Sequence, residues 1–147
     1  VTCSAPHASI PMHRAGAPFS CAALPLLAAV AAQELALREK HYPAMIQRRE
    51  IGQSEAAADL RAWRSIAALF AAGAGDENWR EIEEAADRAL VGRDQACRAK
   101  PGNAYLESRQ AGVRWILEWI IYFRAFYARR DRALPPLPFT PVVPVIA

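Results

Sequence analysis

The chain has 147 residues, 53% of them apolar and 22% charged, with a net charge of +3. That balance fits one globular domain with a modest core and excludes a disordered chain. The charge is too small to imply a nucleic-acid partner by itself, so the placement of charge has to decide that question.

Residues 1–20 show little periodicity and read as a disordered or non-native leader. Met12 is an internal candidate start. From it, "MHRAGAPFSCAALPLLAAVAAQE" offers one early arginine, an apolar stretch and Ala29-Val30-Ala31. That is the form of a secretory signal over 12–31, with a mature N-terminus at Gln33. The simpler reading makes 24–32 the first turns of a helix, because the apolar pattern continues in phase.

A helical domain is predicted over 21–132. Leu24, Leu27, Ala31, Leu35, Tyr42 and Ile46 fall on one side of a first helix, and Pro25 suits its first turn. Pro43 lacks the amide that would bond the Glu39 carbonyl and disfavours helical geometry at Tyr42, so a kink or break is expected near 39–43. Gly52 is expected to take a left-handed cap. Ser54 is the expected N-cap of a second helix, with a stripe of Leu60, Trp63, Ala67 and Phe70.

Gly73 and Gly75 end that helix, and Asp76 is the expected cap of a third. Trp79, Ile82, Ala86, Leu90 and Cys97 form its apolar face. Gly92 weakens its middle by about 1 kcal/mol relative to alanine. Pro101-Gly102 is a break, and Asn103 caps a fourth helix expected to reach about Arg132. Residues 133–147 contain five prolines, which forbid helix and favour an extended arm. The predicted fold is all-α: four main helices in a small bundle, the first kinked or broken near Pro43, with a proline-rich C-terminal arm.

"VRWILEWIIYFRAFY", residues 113–127, is apolar nearly all round. Arg114, Glu118 and Arg124 interrupt it, so it is not a membrane span, and Arg114 and Glu118 are spaced to pair across one turn. A helix of this kind is ordinarily a buried central one. The alternative gives one side to a partner: Trp115, Trp119, Tyr122 and Phe126 lie along one line, and aromatic stripes are enriched at interfaces. Four arginines, Arg124, Arg129, Arg130 and Arg132, close this helix beside Tyr122, Phe126 and Tyr127. They complement the helix dipole and offer a phosphate- and base-binding group in a nucleic-acid reading.

Catalytic signatures are missing from the sequence. No Ser/His/Asp set, glycine-rich phosphate loop or Glu-x-x-His motif is present. Cys3, Cys21, His7 and His13 do not have zinc-site spacing, and Cys97 reads as a buried helical thiol. The reading is therefore a non-enzyme with no metal or cofactor.

"ELALREKHYPAMIQRREIGQSEAAADLRAWRSIAALF", residues 34–70, resembles a family of small uncharacterised phage and prophage helical proteins. The matching positions are Glu34, Leu35, Leu37, Arg38, Tyr42, Pro43, Gly52, Ser54 and Phe70. The turn "RREIGQSEA" is longer than the family's glycine turn. The resemblance covers a quarter of the chain, and it implies a helical hairpin and a bacterial-virus origin without transferring any active-site residue. The expected function is a non-enzymatic phage-derived accessory protein of the bacterial cytoplasm, acting through protein–protein contacts and self-association. The alternatives are a nucleic-acid-binding accessory protein and an exported, periplasmic helical protein.

Overall fold

The computed structural model describes residues 24–72 and 78–129, with side chains through Ala125 in the last helix. It contains α1 (Leu24–Gln47), α2 (Gln53–Ala72), α3 (Trp79–Ala99) and α4 (Ala104–Arg129), and no strand among the described residues. The short connections make two antiparallel hairpins, α1–α2 and α3–α4. The hairpins pack together through α1 on α4 and α2 on α3. The leader 1–20, the candidate signal segment up to residue 23 and the arm 133–147 lie outside the described residues. No helix among the described residues is long and apolar enough to cross a membrane.

Of the kink or break expected near Pro43, the break does not occur: α1 runs through it to Gln47. Pro43 lies one turn from the helix end, where the lost bond to the Glu39 carbonyl removes little of the ladder, and its ring stays exposed. The helix stops instead at a left-handed Arg49, with φ 59°. Arg49 N–H donates to the Ile46 carbonyl at 3.0 Å and Glu50 N–H to the Met45 carbonyl at 2.9 Å. That pair of bonds is a Schellman cap, so arginine fills the place expected of Gly52.

Gly52 begins α2. Its carbonyl accepts from Ala56 N–H at 2.9 Å, and the Glu55 carboxylate reaches back toward its amide at 3.5 Å. Ser54 therefore lies inside the first turn and is not the cap. At α3 the cap is Asn78, whose Oδ1 accepts from Glu81 N–H at 3.2 Å, in place of the expected Asp76. Asn103 caps α4 as expected, accepting from Leu106 N–H at 3.1 Å. Gly92 does not end α3, which continues to Ala99.

The core fills the half of the bundle nearer the start of α1. Leu24, Leu27 and Ala31 of α1 meet Trp63, Ile66, Leu69 and Phe70 of α2, Ile82, Ala85 and Ala86 of α3, and Ile116, Trp119, Ile120 and Phe123 of α4. Phe123 is the hub, with ring centroids 5.8 Å from Phe70 and 5.3 Å from Trp119. Truncating a fully buried Trp63 or Phe123 to alanine is expected to cost about 3–5 kcal/mol.

Trp115 and Trp119 do not form an exposed stripe. They are 4% and 0% exposed. Tyr122 is half-buried and packs edge-on against Trp119 at 5.4 Å. With only four helices among the described residues, the aromatic side of α4 is needed to fill the space between the hairpins, so the two tryptophans serve the core and not an interface. The Phe126 side chain lies outside the described residues.

Candidate functional site

The apolar stripe of α1 continues into charge. Leu27, Ala31, Glu34 and Arg38 follow at steps of four, three and four, which places all of them on the inward face. Tyr42 is one turn further. On α2, Asp59 falls between the buried Ala56 and Trp63 in the same way. From α3 come Arg88 and Arg93, and from α4 comes Arg109, itself 6% exposed. Seven polar residues from four helices thus occupy the half of the bundle that hydrocarbon does not fill.

Glu34 is the centre, with no exposed surface. Its carboxylate accepts from Arg38 Nη1 at 2.7 Å, from Arg93 Nη2 at 2.8 and 3.0 Å, and from Arg109 Nη2. Arg109 also donates to the Gln33 side chain. Burial pushes the Glu34 carboxyl up. The Arg38 hydrogen bond and the charges of Arg93, Arg38 and Arg109 outweigh it and hold Glu34 below the ordinary 4.5. A buried charge survives here because every oxygen is matched by a guanidinium.

Asp59 is the second centre. It accepts from Arg38 Nε at 2.9 Å, Tyr42 Oη at 2.5 Å and Arg88 Nη2 at 3.1 Å. Arg38 bridges both carboxylates, donates to the Glu34 carbonyl at 3.0 Å, and stacks 4.4 Å from the Trp63 ring centroid. Arg38 is held firmly protonated: burial opposes the charge, but Glu34 and Asp59 overcome it. Burial first, then the bond to Asp59 and its charge, push the Tyr42 phenol up to about 12. At neutral pH Tyr42 is protonated and donates to Asp59.

A cleft of about 320 Å³ opens onto this network between α1, α2 and α3. Arg38, Tyr42, Glu55, Asp59, Arg88 and Arg93 form its polar side. The chemistry on offer is recognition of an anion by guanidinium groups. Asp59 is engaged by Arg38, Tyr42 and Arg88, and Glu55 stands exposed at the rim.

The other expected site residues lie elsewhere. Arg124 is exposed and ion-paired to Glu83 of α3 at 2.7 Å. The Arg129 side chain, Arg130 and Arg132 lie outside the described residues, as do Cys3, Cys21, His7 and His13. Cys97 is a half-buried free thiol. Arg114, expected to pair with Glu118, lies 3.7 Å from Asp94 of α3, which also accepts from Gln110 Nε2 at 2.6 Å. No group of three or more histidines, cysteines or carboxylates is arranged to hold a metal ion among the described residues.

Sequence reading missed Glu34, Asp59, Arg88, Arg93 and Arg109 as a unit. The available signal was charge at positions where the apolar stripe demanded a buried residue. No family model, curated protein or solved structure matches the chain.

Proposed function

We propose that this protein is a non-enzymatic accessory protein of phage or prophage origin, acting in the bacterial cytoplasm through contacts with other proteins, including a second copy of itself. The observation that carries this reading is how the polar interior is used. Glu34 and Asp59 join four helices through Arg38, Arg93, Arg109 and Arg88, and Tyr42 donates a hydrogen bond to that brace. Groups committed to cross-bracing in this way serve rigidity and register, and a rigid helical body suits recognition more than turnover.

The resemblance gains a physical sense from the same residues. Glu34, Arg38 and Tyr42 of the Glu-Leu-x-Leu-Arg-x-x-x-Tyr-Pro pattern are the α1 half of the brace, and Asp59 on the facing helix completes it. The pattern then marks a hairpin packing.

With Trp115 and Trp119 buried, the exposed large apolar residues among the described ones are Val91, Tyr105 and Ile121, all on the α3–α4 hairpin. That hairpin is the surface we assign to partner contact. Light scattering across a wide concentration range tests self-association. A rising mass that falls back in the Val91→Glu/Ile121→Glu double variant supports it, and a strict monomer at high concentration overturns it. A salt-dependent shift of a DNA or RNA probe would move the assignment to the nucleic-acid reading.

A further inference from the structure

We propose that the cleft between α1, α2 and α3 binds the phosphate group of a small phosphorylated molecule. Three arginines line it, and each uses only part of its guanidinium on the protein. Arg88 and Arg93 each commit Nη2, to Asp59 and Glu34, while Arg38 commits Nε and Nη1. Nε and Nη1 of Arg88 and Arg93, and Nη2 of Arg38, make no hydrogen bond among the described residues. Donors therefore remain on both α1 and α3 at one opening.

Charge points the same way. The network sets four arginines, Arg38, Arg88, Arg93 and Arg109, against two buried carboxylates. Asp59 lies deep in the cleft with its oxygens already covered by Arg38, Tyr42 and Arg88. Glu55 at the exposed rim is the third acid. A net positive charge is left facing the opening. One carboxylate is satisfied by a single guanidinium fork, whereas a phosphate dianion has three oxygens and two charges to match several. Arg88, more than half exposed, can turn to an incoming anion at little desolvation cost.

The remaining wall is apolar. Ile51, Ala85, Ala89 and Gly92 carry no charge, and a Cβ built on Gly92 would meet nothing within 4 Å. The volume exceeds that of phosphate alone and reaches the lower end of ligand pockets. The phosphate belongs at the arginines and a compact organic body against α3. This site stands independently of self-association and is read by a different assay.

Titration calorimetry at low ionic strength, with inorganic phosphate and phenyl phosphate as probes, tests it. Both are expected to bind saturably, with phenyl phosphate tighter by roughly 5-fold from its apolar body. Arg88→Gln should weaken both by about 10-fold or more, the value of a charge-assisted bond. Gly92→Leu fills the apolar wall without touching charge and should weaken phenyl phosphate more than phosphate. Arg61→Gln, an exposed arginine paired with Glu81, should leave binding unchanged. Circular dichroism on each variant reports the fold. Failure of the wild-type protein to bind either probe overturns the proposal. So does Arg88→Gln binding like wild type, and so does benzoate binding as tightly as phenyl phosphate.

Discussion

Replacing Glu34 by glutamine keeps the shape of the side chain and removes only its charge. The carboxylate has no exposed surface and receives guanidinium hydrogen bonds from Arg38, Arg93 and Arg109. Glutamine keeps one acceptor oxygen, and its amide hydrogens then face guanidinium donors. About two charge-assisted bonds are lost at roughly 1.5–3 kcal/mol each, which agrees with about 3–5 kcal/mol for breaking a buried ion pair from one side. Against a total stability on the order of 5–15 kcal/mol, that is a large fraction. Urea unfolding followed by tryptophan fluorescence measures it, and the midpoint should fall by about 2 M. The sign with pH follows from Glu34 being held below 4.5. Its stabilisation is complete above the unfolded-state value and is lost as pH falls through the lower folded-state value. The gap between wild type and Glu34→Gln should therefore be widest at neutral pH and shrink below about pH 4.5. A cost under about 1 kcal/mol, or a gap that ignores acid, would refute the role given to Glu34.

Tyr42→Phe removes the donor to Asp59 and should cost about 1–2 kcal/mol. Because the Tyr42 phenol is raised from 10.0 to about 12, that difference should be full below pH 10 and vanish as pH rises through 12, which ultraviolet titration alongside unfolding can follow. Arg49→Gly relieves a left-handed arginine at φ 59° and should raise stability by roughly 0.5–1 kcal/mol, read as a higher Tm, whereas no gain would argue against the Schellman cap. A chain beginning at Gln33 lacks the buried Leu24, Leu27 and Ala31, a loss of about 4–6 kcal/mol. It should fail to unfold cooperatively, and a cooperative transition there would favour the exported reading.

The helices were legible because an amphipathic repeat is a local property. Leu24, Leu27 and Ala31, then Trp63 and Phe70, then Ile82 and Ala86 fall on one side at helical spacing before any packing is known, and all are buried. Asn103 at its cap follows from side-chain chemistry within four residues. The caps that were misplaced, Arg49 for Gly52 and Asn78 for Asp76, depend on where the neighbouring chain pulls each end, which propensity does not encode.

The polar half of the interior was not legible for a different reason. Glu34 and Arg38 were visible as a pair one turn apart, but such a pair ordinarily faces water. Only the tertiary structure brings Arg93 and Arg109 to it across 59 and 75 residues of chain, and Arg88 to Asp59 across 29. The same packing turned Trp115 and Trp119 inward. Sequence by itself determined that four helices form and where hydrocarbon lies on them. Which charges are buried, and which aromatic face meets a neighbour, was decided by how the two hairpins pack, because desolvation and ion pairing are settled between elements and not along them.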